Sequence, residues 1–505
     1  MELTKRILHE AEDLNLLEHQ KKVFFAEIEL MKAKKKKEIL FKNQLDCARE
    51  ISNNLTNLEI LSVLIIALTQ SGKTGLIIAL IRQFYLDNKN TDIMTENIYI
   101  ITGLSDVDWK NQTADRLPGC LKDRVYHRNN LLGRNGFVDD IQNKTNVLII
   151  IDEIQVAAKE EQTIHRAFRD ACLMDKQYLF LNDIKIVQLS ATPDGVIIDS
   201  KKWGECSTCL KLKPGPGHLS CFDLLQQNRC HQSENLYCTN NKKEYDAVAS
   251  IQNTKRYLKF VKQVERSQRH SLFHIIRADN GERGDIIKTN FKKCLQNITF
   301  MDYDQNSQID LDEIMLHEPI FTTIIFIKEK LRCSKTIENK EFLGSVYERK
   351  SNKINDSCII QGLLGRVTGY NCNDFTICFT DIKTIKIYQE LWNSNFESNS
   401  KWNSNTTVFT NGKLKSRKTF QNPTLFLNSD YVEEEEKQEW TYHYKTFSQK
   451  DYGNYNQTVE ASRKWILTEL KDSILKTKNI LKGPNKKTTQ PRLENAGWIY
   501  TKLPY

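Results

Sequence analysis

Proline is scarce in this chain, nine among 505 residues, and nowhere do eighteen or more apolar residues run together. The scarcity of proline accompanies an abundance of Lys, Asn and Ile, a bias that AT-rich coding DNA produces irrespective of folding. The missing long apolar run excludes a membrane-spanning helix of ordinary length, since LSVLIIAL and FTTIIFI are far too short to cross a bilayer core. The charged start MELTKRILHEAED lacks the apolar centre of a secretory signal, so a soluble, intracellular protein without a membrane partner is expected. No large excess of one charge exists either: 73 basic against 64 acidic side chains leave +9. That balance mildly favours a polyanionic partner, nucleic acid being the natural one, and stops well short of a histone-like excess. No repeat of fixed period is visible, and no further metal-carboxylate cluster offers support for nuclease chemistry.

Length is ample for two domains with appendages, each able to bury a core. The most informative segment is Ala67-Leu68-Thr69-Gln70-Ser71-Gly72-Lys73-Thr74, set between the apolar run LSVLIIAL and the helical GLIIALIRQFYL. A turn between strand and helix at this spacing is a P-loop. Backbone N–H groups and the helix N-terminus cradle phosphates, Lys73 meets the β/γ oxygens, and the Thr74 hydroxyl holds Mg²⁺, with Ser71 and Gly72 completing the grip. Ala67 stands where the first glycine is usual, so the turn must form without a left-handed residue there. The second segment, Asn146 to Gln155 (NVLIIIDEIQ), reads as a central parallel strand ending in two carboxylates. Asp152 would support the metal, and Glu153 would orient and deprotonate the attacking water. As an alternative, Asp152 merely caps the following helix. A third apolar strand, Ile186 to Leu189, ends in Ser190-Ala191-Thr192-Pro193, whose hydroxyls could bond toward Gln155 and Glu153.

Taken in order, SGKT, DEIQ and SATPDG resemble motifs I, II and III of the superfamily 2 DEAD/DEAH-like helicases and translocases. The resemblance implies an α/β fold of two tandem RecA-like P-loop domains, ATP and Mg²⁺ as ligands, and single- or double-stranded DNA or RNA as partner. It implies an adenine contact at Gln44, whose amide offers the paired donor and acceptor that N6 and N7 need, unless Gln44 is simply an exposed helical residue. Motif Ia would place Thr102, Ser105 and Gln112 on the nucleic-acid backbone, with Trp109 more often core, and His127-Arg128 as a further contact. Gln155 and Ser190 through Thr192 would couple the site to the strand. In the distal half, GLLGRVTGY resembles motif VI, with Gln361 in the coupling set and Arg366 as the arginine finger that reaches the γ-phosphate when the lobes close. Here the chain departs from the family pattern: Gln361 stands one residue too far from Gly365, and Gly369 occupies the second arginine position. Arg349 or Arg332 could then take the finger's place. Lys328, Arg332, Lys335 and Thr336 would form motif V, with Arg332 and Lys335 on the nucleic acid, or else a solvated strand end. The GLLGRVTGY form is similar to a divergent branch in large DNA viruses and phages, which extends the expected setting to host cytoplasm or virion.

The expected organisation is a helical arm over 1–42, a first RecA-like domain over 43–200 and a Cys-rich connector over 201–245. A second RecA-like domain over 246–392, a linker over 393–439 and a C-terminal extension over 440–505 complete it. In the second domain, IQNTKRYLKFVKQVER, GDIIKTNFKKCLQ and DLDEIMLHE read as helices alternating with the strands HSLFHIIRA, NITFMDYD and FTTIIFIKEKL. The connector holds Cys206, Cys209, Cys221, Cys230, His231 and Cys238. Its first pair has a zinc knuckle's spacing, but no second C-x₂-C follows, so ordinary reduced cysteines are favoured over zinc. Lys34 to Lys37 is read as a solvated helix face. The tail interleaves Trp440, Tyr442, Tyr444, Phe447, Tyr452 and Tyr455 with Lys445 and Lys450, more in the manner of a small core than of a base-stacking surface. The alternatives to a helicase are a double-strand translocase that never separates strands, and a nucleotide-switched binding protein with little turnover.

Overall fold

Five apolar runs between residues 61 and 190 become the interior of one sheet. In the computed structural model the described residues are 2–87, 93–104, 107–277, 279, 281–304, 307, 310–328, 336–351, 354–397, 400–405, 407–410, 413–416, 440–447, 480–482 and 497–504. They fall in two units, Met1–Phe426 and Leu427–Tyr505. In the first unit β1 (Ser62–Ala67), β2 (Ile98–Thr102), β3 (Val125–Tyr126), β4 (Val147–Asp152), β5 (Ile184–Ser190) and β6 (Ser207–Leu212) lie parallel in the order β3-β2-β4-β5-β1-β6. The register sets Thr102 beside Asp152 and Ile66 beside Ser190, so the ends of β2, β4, β1 and β5 present their polar residues at one rim. Every residue of β1, β2, β4 and β5 is buried. Near-continuous apolar strands are what a parallel sheet covered on both faces requires, since each successive side chain points to the opposite face.

A second parallel sheet has the order β11-β12-β10-β13-β14-β7. It comprises β7 (Cys230–Gln232), β10 (Phe273–Arg277), β11 (Ile298–Tyr303), β12 (Thr322–Ile327), β13 (Leu343–Tyr347) and β14 (Ile377–Thr380), while β8 (Cys238–Thr239) and β9 (Tyr245–Asp246) form a short antiparallel hairpin. Helices Ala247–Gln268 and Glu282–Cys294 precede β10 and β11, and Ile382–Asn393 follows β14. The two sheets with their helices are tandem RecA-like lobes. One continuous buried cluster runs from Ile66 and Ile149 of the first sheet to Ile275 and Val346 of the second, which docks the lobes through apolar contact.

Two expected boundaries differ from the structure. Residues 201–245 are more than a connector, because β6 forms the edge of the first sheet beside β1 and β7 the edge of the second beside β14. Cys206 and Cys209 therefore lie by the first sheet, Cys221 and Cys230 are buried in the shared core, and Cys238 sits in the hairpin. Among the described residues no group of three or more His, Cys, Asp or Glu is arranged to hold a metal. The Asn/Ser-rich segment after Trp392 also returns to the core. Trp402 is fully buried, the Asn403 N–H donates to Asp356 Oδ2 at 2.7 Å, and β15 (Thr407–Thr410) pairs with β16 (Lys413–Ser416). A single large aromatic outweighs its polar neighbours because its burial removes the most apolar area from water.

The N-terminal helix Glu2–Lys35 buries Leu17, Phe24 and Ile28, and Lys34 to Lys37 are exposed. In the second unit β17 (Trp440–Phe447), β18 (Ile480–Lys482) and β19 (Gly497–Pro504) make an antiparallel sheet in the order β17-β19-β18. Tyr452, Tyr455 and Lys450 lie outside the described residues.

Within β4 Ile149 packs in the core shared with the second lobe and Ile150 in the core against Leu76, Leu80 and Phe84. Ile149→Ala and Ile150→Ala should therefore each destabilise the protein by about 2–5 kcal/mol in urea unfolding. A near-neutral result for either would show that one face of β4 is not covered.

Candidate functional site

The turn after β1 places its left-handed residues at Gln70 (φ 56°) and Gly72 (φ 99°), while Ala67 remains the last strand residue. Gly72 precedes the helix Lys73–Leu86, which brings Lys73 and Thr74 to a helix N-terminus carrying a partial positive charge. At the neighbouring rim Asp152 ends β4, and Glu153 turns sharply with φ 54°, a conformation that costs a non-glycine residue energy and that its surroundings must enforce. The enforcement is visible. The Lys73 ammonium hydrogen-bonds to Glu153 Oε1 and lies 4.0 Å from Asp152 Oδ1. Gln155 Nε2 donates to Glu153 Oε2 at 2.6 Å, and Gln361 Nε2, from the second lobe, donates to the same oxygen at 2.8 Å. Ser190 Oγ donates to Gln155 Oε1 at 2.6 Å, while the Thr192 N–H donates to Ser190 Oγ at 3.1 Å and Tyr388 Oη–H reaches the Ala191 carbonyl at 2.6 Å.

Burial alone would raise the Glu153 pKa, but the adjoining Lys73 charge and the hydrogen bonds it accepts hold its carboxyl below the usual range. For Lys73, burial disfavours the ammonium, and the two carboxylates more than restore it, so its pKa is raised. Arg366, 3% exposed, donates from Nη2 to the Gln361 carbonyl at 2.9 Å and from Nε to the Gly362 carbonyl at 3.3 Å.

Lys73, Asp152, Glu153, Gln361 and Arg366 line a cavity of about 270 Å³ together with Thr69, Gln70, Gly72, Thr74, Gln112, Thr113, Arg116, Thr336 and Tyr370. Its three cations, Lys73, Arg116 and Arg366, face two carboxylates, Asp152 and Glu153, a balance suited to a triphosphate with a divalent cation. Thr74 and Asp152 offer the hard oxygen donors that Mg²⁺ takes. The Ser71 and Thr192 hydroxyls are buried and find no hydrogen-bond partner among the described residues, which leaves two polar atoms suited to a ligand or water. A second cavity of about 710 Å³ adjoins the first, lined by Met31, Ile39, Phe41, Asn43, Gln44, Ile78, Pro216 and others.

Gln44 is buried beside this second cavity. Its Oε1 accepts from the Phe41 N–H at 2.9 Å, and its Nε2 donates to the Gly72 carbonyl at 3.0 Å. It braces the P-loop and retains one donor hydrogen and one lone pair. Other expected residues are placed differently. Thr102 is fully buried, its hydroxyl accepting from Leu104 N–H at 3.3 Å, because it ends a central strand and not a surface loop. Gln112 lines the smaller cavity with Lys73 and Glu153, since the helix Val107–Arg116 turns that way. His127 Nδ1 pairs with Asn130 Oδ1, and Arg128 Nε donates to Thr163 Oγ1. Arg349 is ion-paired with Asp279 at 3.0 Å in the second lobe and does not line the cavity, whereas Thr336 does. Ser105, Arg332 and Lys335 lie outside the described residues.

The departures in the distal motif have a steric account. The extra residue after Gln361 is taken up by Gly362 (ψ −132°), a break between the short helices Asp356–Gln361 and Leu363–Arg366, where a Cβ would lie 2.5 Å from the Cys358 carbonyl oxygen. Gly369 (φ 100°) meets the P-loop itself, and a Cβ there would stand 2.7 Å from Gln70 Cβ. A second arginine has no room. Gln70 Nε2 donates to the Gly365 carbonyl at 2.8 Å, the Thr69 and Thr368 hydroxyls are 2.8 Å apart, and His218 Nε2 lies 3.0 Å from the Thr69 carbonyl oxygen. Lys340, unsuspected from sequence, is buried with its ammonium donating to the Thr368 carbonyl at 2.8 Å and Gln70 Oε1 at 3.2 Å, and burial lowers its pKa. No motif marks Lys340 in ENKEFL, and only its long-range contacts reveal it. Arg116 and Tyr370 were missed for the same reason.

Two parallel sheets with a P-loop on the first, and a polar cavity lined by both, define a protein of the tandem RecA-like class. No family model matches the chain. It is 25% identical over 370 residues to the uncharacterized protein L594 of Acanthamoeba polyphaga mimivirus, a match covering 70% of this chain and 86% of that protein. Among solved structures it is similar to the DEAD-box helicase Mss116 bound to ssRNA and UDP-BeF, with 13% identity, a TM-score of 0.42, and coverage of 72% of this chain and 78% of that one. A DEAD box protein from Methanococcus jannaschii is also similar, with 16% identity, a TM-score of 0.34, and coverage of 71% and 95%. The DEAH/RHA helicase HrpB of Escherichia coli gives 14% identity, a TM-score of 0.41, and coverage of 67% and 42%.

Gly369→Ala adds a methyl against Gln70 at a left-handed position, so it should lower stability by about 1–3 kcal/mol in urea unfolding. Stability equal to that of the parent would show that the P-loop and the distal segment are not packed together in solution.

Proposed function

We propose that this protein is an ATP-dependent nucleic-acid motor that hydrolyses ATP in the crevice between its two lobes to unwind, or move along, DNA or RNA. One observation carries the reading: Lys73, Thr74, Asp152 and Glu153 of the first lobe and Gln361 and Arg366 of the second line a single cavity. Residues about 290 positions apart line one polar crevice that stays open, and a ligand that both lobes grip is a reason for it beyond the pairing of Gln361 with Glu153.

Lys73, Ser71 and the P-loop N–H groups bind the phosphates, while Thr74 and Asp152 hold Mg²⁺, which when bound neutralises phosphate charge. Glu153 is the general base. While Lys73 is paired with it, its proton affinity is suppressed; when Lys73 turns to phosphate, the carboxylate remains buried with less compensation, so its pKa rises toward that of a competent base. Gln155 keeps the carboxylate aimed through its bond to Ser190, and Gln361 reports the position of the second lobe. Arg366 supplies a permanent charge for the transferring phosphoryl group. Because Gln361 and Arg366 are carried by the distal lobe, lobe motion and hydrolysis are tied to the same groups, as a motor requires.

ATP turnover measured with and without single-stranded DNA and RNA tests the reading. Strong stimulation by one of them is expected, and its absence beside tight ATP binding would instead favour a nucleotide switch. Strand displacement then separates a helicase from a translocase. Glu153→Gln should keep ATP binding and lower turnover by roughly 10²–10⁴-fold. Turnover within twofold of the parent's would remove Glu153 from the base role.

A further inference from the structure

We propose that Arg116 is a nucleotide-binding residue, and that the nucleotide takes it from Glu338 of the second lobe, thereby releasing a tie between the lobes. The inference rests on the reading that the cavity receives ATP. Arg116 ends the helix Val107–Arg116, which the motif pattern would assign to nucleic acid. The structure instead places its last residue at the cavity that holds Lys73. Arg116 lines both the smaller cavity, where Lys73, Asp152 and Glu153 meet, and the larger one beside Gln44. Thr74 and Tyr370 are likewise common to both. The three residues therefore mark the passage between the smaller chamber, lined by Lys73, Asp152 and Glu153, and the larger one beside Gln44, where the ribose and first phosphates would lie if the phosphates occupy the former and the base the latter. A planar guanidinium at that point suits bidentate contact with phosphate oxygens.

In the present arrangement Arg116 Nη2 donates to Glu338 Oε1 at 3.1 Å, and the Glu338 side chain is 66% exposed. A pair so open to water is weakly held and readily exchanged for a polyphosphate. The backbone at Glu338 is held in place. Its N–H and that of Asn339 donate to Asp312 Oδ1 at 2.7 and 2.9 Å, and Lys340 next along the strap grips Gln70 and Thr368. Glu338 cannot follow Arg116 into the cavity, so the nucleotide and the second lobe compete for one guanidinium.

Equilibrium binding of N-methylanthraniloyl ADP and ATP to the full chain in the presence of Mg²⁺ tests this. Arg116→Ala should raise both Kd values about tenfold and Arg116→Lys should recover part of the loss. Glu338→Gln should lower both about threefold, because it removes the competitor, an improvement that a merely structural role would not produce. If Arg116→Ala binds like the parent, or Glu338→Gln binds no more tightly, the proposal is overturned. Glu338→Gln decides the matter even if Arg116→Ala fails to fold. Loss of binding in Lys73→Ala with unchanged binding in Arg116→Ala and Glu338→Gln would overturn this inference while leaving the ATP reading intact, whereas a parent protein that binds neither nucleotide would end both.

Discussion

Glu153 is a carboxylate placed where water scarcely reaches, and the site is organised around meeting its charge. An unpaired charge in such surroundings costs far more than the few kcal/mol by which a folded protein exceeds its unfolded state. The chain answers with an ammonium from the P-loop, an amide from its own strand end and an amide from the second lobe, all on one carboxylate. Each donor is held in turn by something else: Lys73 by the start of its helix, Gln155 by Ser190, and Gln361 by the end of its short helix. Removing any one would leave the carboxylate imperfectly satisfied, so this point is one at which the two lobes are held in register.

The same closeness explains the chain's departures from the family pattern. Where relatives of the resemblance carry a second arginine, the P-loop residue Gln70 presses against Gly369, and its amide bonds to the backbone of Gly365. The P-loop and the distal segment are in direct contact, with Thr69, Thr368 and Lys340 closing the seam. Charge at the cavity is therefore distributed differently from the motif: one distal arginine, Arg366, and a proximal one, Arg116, flank the P-loop lysine. Packing and chemistry are inseparable here, because a side chain that fills the seam is unavailable to a ligand.

Much of the first lobe was legible in the sequence. Buried parallel strands must be nearly all apolar, so β1, β4 and β5 announce themselves, and Asp152 and Ser190 end two of them at one rim. In the second lobe the helices and strands from 247 to 327 alternate with enough contrast to be read, and the structure has them in that order. The strands β6 and β7 were not legible. They are short edge strands whose partial exposure gives them mixed composition, and a proline-glycine turn between them reads as a loop. Trp402 was hidden for the opposite reason, as one apolar residue among asparagines and serines whose burial depends wholly on distant partners.

Local order along the chain is enough to determine which residues sit at a strand end or a helix start, because those positions follow from apolar runs, turns and the short reach of backbone hydrogen bonds. Lys73, Thr74, Asp152, Glu153 and Ser190 are of this kind. That Gln44 is buried and bonded to the Gly72 carbonyl, that Gln112 lines the same cavity as Lys73, and that Lys340, Arg116 and Tyr370 lie at or beside it came only from tertiary structure. These side chains owe their roles to neighbours tens or hundreds of positions away, and a contact across that distance leaves no periodicity or spacing for the sequence to display.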